Sequence, residues 1–118
     1  MSEPFKEVLN IDRVVHEPAR LAILLVLEVC VDADFKFLQT LTGMAKSNLS
    51  LHLTKLENSG LIAIDKTFVR KKGRTVARLT KEGKEALREY RRTLEEPKRT
   101  AGKWMLLRRT LSPEPAGG

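Results

Sequence analysis

Leu49, Leu53 and Leu56 are spaced by four and three residues within Ser47-Asn-Leu-Ser-Leu-His-Leu-Thr-Lys-Leu-Glu-Asn-Ser-Gly60, which places them on one face of a helix. Ser47, Asn48, Ser50, Leu51, Thr54 and Lys55 are left on the outward face. The spacing predicts a helix from about Ala45 to Asn58, ended by Gly60 in a left-handed conformation. A shorter helix, Phe35 to Leu41, precedes it, with Phe35, Leu38 and Leu41 as a buried stripe at intervals of three. Asp34 is its expected N-cap, Asp32-Ala-Asp34 reads as a link, and Thr42-Gly-Met is the turn between the helices.

Upstream, residues 1–10 read as a polar lead-in, and Ile11 to His16 as a short helical turn or an extended approach. Pro18 suits the first turn of a helix because its missing N–H would be unpaired there, and Glu17 favours the same positive pole. From Arg20 to Cys30 nearly every residue is apolar, Glu28 excepted. A helix apolar all round must be covered on more than one side, which suggests the core on one face and a second subunit on the other.

Downstream, Leu61 to Val69 alternates in part, with Ile62, Ile64 and Phe68 to one side and Lys66 breaking the stripe. Arg74 to Leu79 is the return strand, and Lys71-Lys-Gly-Arg74 contains the glycine that a tight hairpin with positive φ is expected to use. Thr80 is a fair N-cap for a helix running to about Glu96, with Ala86, Leu87, Tyr90 and Leu94 as its stripe and Pro97 as its end. Residues 98–111 suit a final short helix carrying Trp104, Met105 and Leu107, and residues 112–118 a disordered tail.

Charge sharpens this picture. The chain has 118 residues and a formal charge of +7, distributed unevenly. Residues 1–60 hold six Lys/Arg against eight Asp/Glu, whereas residues 61–118 hold sixteen against seven. Four cations in five residues at 70–74 repel one another without a polyanionic partner. With a single cysteine, Cys30, no intrachain disulfide forms; an inert buried thiol in a reducing cytosol is expected. The longest apolar run, Leu21 to Leu27, is too short to span a bilayer, and the acidic, polar N-terminus argues against a signal peptide.

His52, beside the inward leucines, is expected to be a satisfied histidine rather than a ligand. His16, His52 and Cys30 lack metal-site spacing, and no cofactor is expected. No phosphate-cradling glycine loop, paired catalytic carboxylates or nucleophile–base set is visible, so the chain is not read as an enzyme. One tryptophan and one tyrosine, neither in the basic strands, argue against stacking of single-stranded bases.

The order helix, helix, helix, strand, basic turn, strand, helix is that of a winged helix-turn-helix. This is a mainly α fold with a small β-hairpin, here with extra N- and C-terminal helices. The chain resembles the small winged-helix transcriptional regulators related to the MarR and ArsR groups. It is most similar to single-domain regulators that begin as His16-Glu-Pro-Ala-Arg-Leu-Ala-Ile-Leu24 does here. The resemblance continues through Asp34-Phe-Lys-Phe-Leu38, Asn48-Leu-Ser-Leu-His-Leu53, Lys55-Leu-Glu57, Gly60-Leu61, the basic wing and Leu79-Thr-Lys-Glu-Gly83. It covers residues 11–96, and the specificity lies in several blocks standing in order. The Cys-x-Cys of metal-sensing ArsR proteins is absent.

The resemblance implies sequence-specific binding of double-stranded DNA by a cytoplasmic homodimer, without catalysis. Lys46, Ser47, Asn48, Ser50, Leu51, Thr54 and Lys55 would enter the major groove, and Arg70, Lys71, Lys72, Arg74 and Thr75 would form the wing on the backbone or an adjacent minor groove. Leu51 either meets a thymine methyl or is an ordinary exposed leucine. Leu21, Leu25, Leu87, Tyr90, Leu94, Trp104 and Met105 are the expected dimerisation residues. The alternative is a winged helix serving as a protein-interaction module within a larger transcription assembly. The serines, Asn48, Thr54 and lysines of the outward face favour DNA.

Overall fold

A computed structural model describes residues 4–111, except for a few side chains such as that of Trp104; the tail expected at 112–118 lies outside the described residues. The elements are α1 (Pro4–Leu9), α2 (Pro18–Val29), β1 (Asp32–Asp34), α3 (Phe35–Thr42), α4 (Lys46–Asn58), β2 (Ile62–Val69), β3 (Lys72–Leu79) and α5 (Lys81–Leu111). The chain forms two compact units, one of Asp12–Tyr90 and one of the chain ends up to Ile11 and from Arg91.

Within Asp12–Tyr90, α2 starts where its sequence dictates. Glu17 is extended at φ −142°, its Oε2 accepts the Arg20 N–H at 2.9 Å, and Pro18 occupies the first turn. That backbone hydrogen bond is the main reason the Glu17 carboxyl lies below its ordinary value, with desolvation opposing it and the Ala19 N–H, His52 and Arg20 adding to it. A carboxylate lowered in this way stabilises the fold fully above the unfolded-state range and loses its contribution as pH falls through the lowered value.

The core is built from Ile23, Leu24 and Leu27 of α2, Leu38 of α3, and Leu49, Leu53 and Leu56 of α4, all 3% exposed or less. Ala77 of β3 and Leu87 of α5 close it. Asp34 caps α3 as the sequence suggests, its Oδ1 accepting the Phe37 N–H at 2.8 Å. Gly43, at φ 70°, ends α3, and Gly60, at φ 77°, follows α4.

Several sequence expectations are corrected. Residues 32–34 are a strand rather than a link: β1 pairs antiparallel with β3, giving the order β1-β3-β2. Three residues, two of them acidic, show no periodicity, yet Ala33 is buried opposite Ala77. The hairpin glycine is also misplaced. Val69 pairs with Lys72, so the loop is Arg70-Lys71, and these two residues hold positive φ at 52° and 66°. Gly73 pairs with Phe68 inside the ladder. A two-residue loop with both residues left-handed matches the twist of the strands, and that requirement prevails over residue preference.

The α3 stripe is narrower than expected, because Leu41 is 53% exposed and only Leu38 is fully enclosed. Cys30 is half-buried at the end of α2 rather than enclosed. Part of the lead-in, Pro4–Leu9, is helical. Pro97 does not end α5, which continues to Leu111. An internal proline removes one N–H donor, and the helix formers on either side carry the helix past it. In the unit of the chain ends, Thr93 is buried and Arg92 Nη2 lies 3.7 Å from Glu7 Oε2.

The joint between α4, the sheet and α5 is closely packed. The Thr80 N–H donates to the Leu61 carbonyl at 3.1 Å, and its hydroxyl donates to the Gly60 carbonyl at 2.6 Å while accepting the Gly83 N–H at 3.0 Å. A Cβ on Gly83 would overlap the Leu61 carbonyl oxygen and lie 2.9 Å from Leu79 Cδ2. Gly102, in the same helix, has open space instead.

Gly83→Ala is therefore expected to destabilise the protein by about 2 kcal/mol or more in urea unfolding, overpacking outweighing the helix-propensity gain. Gly102→Ala, with no such clash, should be stabilising by up to about 1 kcal/mol. Equal effects at the two positions would refute the tight joint. At the wing, replacing Arg70-Lys71 by Asn-Gly should raise unfolding free energy by about 1–2 kcal/mol, since both positions are left-handed. An unchanged urea midpoint would count against the turn geometry.

Candidate nucleic-acid interface

Burial of three leucines orients α4. Leu49, Leu53 and Leu56 are 0%, 3% and 0% exposed, so Ser47, Asn48, Ser50, Leu51, Thr54 and Lys55 all face solvent, with Lys46 just ahead of them. Leu51 is 66% exposed. The N-cap of α4 is Ala45, which offers no side-chain acceptor, so no capping side chain covers the first N–H groups of the helix. The positive end of the helix dipole is therefore left open to an anion.

His52, also on α4, takes no part in this outward face. Its Nδ1 lies 3.3 Å from Arg20 Nη1 and 3.8 Å from Glu17 Oε2. Arg20 in turn donates from Nε to the Val14 carbonyl at 2.7 Å and from Nη2 to the Arg13 carbonyl at 3.2 Å. One guanidinium thus joins the approach segment, the start of α2 and the flank of α4. The expectation of a satisfied histidine fits this arrangement.

The wing stands beside α4 and encloses a groove of about 550 Å³ with it. Four elements each send a cation to the groove: Lys36 from α3, Lys46 from α4, Lys66 from β2 and Arg74 from β3. Leu53 and Ile64 supply apolar lining, and Ser50, Thr54 and Thr75 supply hydroxyls. Asp34 and Glu57 also line it. Arg70, Lys71 and Lys72 are exposed at the wing tip. Arg74 Nη2 is 3.3 Å from Asp34 Oδ2, and Arg78 Nη1 is 2.8 Å from Asp65 Oδ2 across the hairpin.

The structure therefore brings Lys46, Ser50, Thr54, Arg74 and Thr75 together at the groove, while Ser47, Asn48, Leu51 and Lys55 are exposed on α4 outside its lining and the tip cations sit at the end of the hairpin. It adds Lys36 and Lys66, which sequence reasoning did not single out. Lys66 had left a signal, as the residue that breaks the apolar alternation of β2. Lys36 had none of its own, because only the packing of α3 carries it to the groove.

The expected dimerisation residues separate. Leu87 is 0% exposed within the single chain, so it is a core residue and a correction to the expected seam. Leu21 and Tyr90 are half-buried against the same core, and the Tyr90 hydroxyl is 2.9 Å from His16 Nδ1. Leu25, Leu94 and Met105 are 38%, 40% and 59% exposed. The side chain of Trp104 lies outside the described residues. Among the described residues no helix is long and apolar enough to cross a membrane, and no three His, Cys, Asp or Glu residues are grouped to hold a metal ion.

Comparison with known proteins agrees with this geometry. Residues 19–97 match the family described as the winged helix DNA-binding domain. An uncharacterised protein of Methanocaldococcus jannaschii is 31% identical over 70 residues, which cover 59% of this chain and 73% of that protein. The transcriptional regulator homologue from Pyrococcus horikoshii OT3 has a similar structure, with a TM-score of 0.68 and 28% identity over 87% of this chain and 98% of its own. Sco3205, a MarR family transcriptional regulator from Streptomyces coelicolor solved in complex with DNA, shares the fold at a TM-score of 0.57 and 22% identity, over 92% of this chain and 80% of that one. The chain belongs to the winged helix DNA-binding domain family, and its fold is that of the winged-helix transcriptional regulators.

Proposed function

We propose that the chain is a sequence-specific regulator that binds double-stranded DNA as a homodimer in the cytoplasm and catalyses no reaction of its own. The observation that carries this reading is the two-faced α4, with three leucines locked in the core and a polar face turned outward beside a groove with four cations. In this reading α4 enters the major groove, where Asn48 pairs bidentately with a base edge and Ser47, Ser50, Thr54 and Lys55 add contacts. Arg70, Lys71 and Lys72 lie on the backbone or in the adjacent minor groove and supply attraction independent of sequence. Transcriptional regulators of the same fold, one of them solved with DNA, support the assignment.

The exposed Leu94, Met105, Leu106 and Leu107 of α5 support a dimer, because apolar side chains concentrated on one helix are commonly covered by a symmetric copy. A two-fold pair would present two α4 helices about 34–36 Å apart, one turn of duplex.

Salt-dependent retention on duplex DNA tests the central claim, and two variants divide it into parts. Lys72→Ala should weaken binding alike on all sequences and reduce the slope of log K against log salt by about 0.9. Asn48→Ala should erase about 1–3 kcal/mol of discrimination between sites while leaving non-specific binding nearly intact. No retention at low salt would favour a protein-interaction module instead. For the dimer, sedimentation equilibrium should give twice the chain mass at micromolar concentration. Leu94→Glu with Met105→Glu should shift it to the monomer, and a monomeric wild type would sink the claim.

A further inference from the structure

The run Arg70 to Arg74 is one block of charge in the sequence, but the fold divides it. Arg70 and Lys71 form the turn and Lys72 opens β3, all exposed and without an ion pair among the described residues. Arg74, two residues further along β3, lies with its Nη2 3.3 Å from Asp34 Oδ2. Asp34 is itself fixed. Its backbone pairs opposite Val76 in the β1–β3 ladder, and its Oδ1 accepts the Phe37 N–H at 2.8 Å. One carboxylate oxygen thus serves the start of α3 and the other holds the wing.

This pair stands in the groove between α4 and the wing. Lys36, Lys46 and Lys66 reach the same groove, are exposed, and carry no ion pair among the described residues. A phosphodiester strand drawn there meets three available ammonium groups, the Glu57 carboxylate and one guanidinium that is already ion-paired. Transferring Arg74 to a phosphate would exchange one charge-assisted pair for another, and would leave the Asp34 carboxylate facing the phosphates. The net gain is small.

We propose that Arg74 is a positioning residue, held by Asp34 as a strut across the base of the wing, and that Lys66 grips the phosphodiester strand in the groove. The inference rests on the DNA-binding reading and deepens it. Arg74 then fixes the angle of the wing relative to the helix-turn-helix without adding a phosphate contact. Asp34 lowers affinity for every sequence alike, which leaves discrimination to α4. Lys36 and Lys46 flank the strand that Lys66 holds.

The test is the salt dependence of binding to a random-sequence duplex by the full chain and four variants. Lys66→Ala should reduce the slope by about 0.9, the contribution of one phosphate contact. Arg74→Ala, made together with Asp34→Asn so that no bare carboxylate is left in the groove, should keep the wild-type slope while amide exchange across the wing speeds up, and Arg74→Lys alone should keep exchange slow. Asp34→Asn retains a capping acceptor for the Phe37 N–H. It should steepen the slope by about 0.9 and raise affinity at low salt as Arg74 is released. All of these results are required. A slope lost in the paired Arg74→Ala and Asp34→Asn variant, kept on Lys66→Ala or unchanged on Asp34→Asn overturns the inference, as does wing exchange indifferent to Arg74. Wild type that binds no duplex sinks the DNA reading and this inference with it; wild type that binds with the wrong slopes in the variants sinks this inference alone.

Discussion

The outward face of the candidate interface follows from the burial of one face of α4. Leu49, Leu53 and Leu56 are enclosed almost completely, and each such side chain removed from water contributes about 1.5–3 kcal/mol. Rotating the helix by even one residue would expose them and bury Ser50, Thr54 or Lys55 without partners. The polar face is therefore outward because the leucine face cannot be, and its precision is inherited from the core.

Two further constraints hold that helix in place. At its flank, the Arg20 guanidinium ties His52 to the Val14 and Arg13 carbonyls, beside the Glu17 cap of α2. At its end, Gly60, Leu61, Thr80 and Gly83 form a joint that leaves no room for a Cβ at Gly83, so the path from α4 into β2 and from β3 into α5 is set by backbone contact. Both follow blocks legible as sequence, the His-Glu-Pro-x-Arg start and the Leu-Thr-Lys-Glu-Gly stretch. Their spelling makes physical sense only once the distances are known. His16 meets Tyr90, Glu17 caps, Arg20 pins, and Gly83 yields space to a carbonyl.

What could be read in advance depended on how local its cause is. The leucine spacing of α4, the Asp34 and Thr80 caps and the two hairpin strands arise from neighbours within a few residues, and each is found where the sequence indicates, except that β3 starts two residues early, at Lys72. β1 escaped because its partner is more than forty residues away and three residues carry no period. The turn was misassigned because glycine is only the preferred residue for positive φ; the register between β2 and β3 places Arg70 and Lys71 there regardless. Pro97 stands inside α5 because a lost donor is a cost rather than a prohibition. At the site, the α4 face and the tip cations were legible as runs. Lys36 and Lys66 were not, since they converge only through tertiary packing. Leu87 was misplaced because a helical stripe does not say which of its members the subunit encloses.

The two parts of the candidate interface differ in how their backbone is held, and this bears on what each would be suited to do. The residues offered by α4 alternate with core leucines, Asn48 beside Leu49 and Thr54 beside Leu53, so their backbone cannot adjust without disturbing the core. A group that cannot adapt makes a good hydrogen bond with one base edge and a poor one with the others, which is the physical content of discrimination. Arg70, Lys71 and Lys72 sit on a two-residue turn at the hairpin tip, exposed, on long side chains. Such groups follow a phosphate wherever the backbone runs, and so attract every sequence alike. A substitution at the tip leaves the leucine face of α4 untouched, whereas one at Asn48 acts beside it. The rigid helix and the adaptable tip are therefore separable by mutation, even though one short domain carries both.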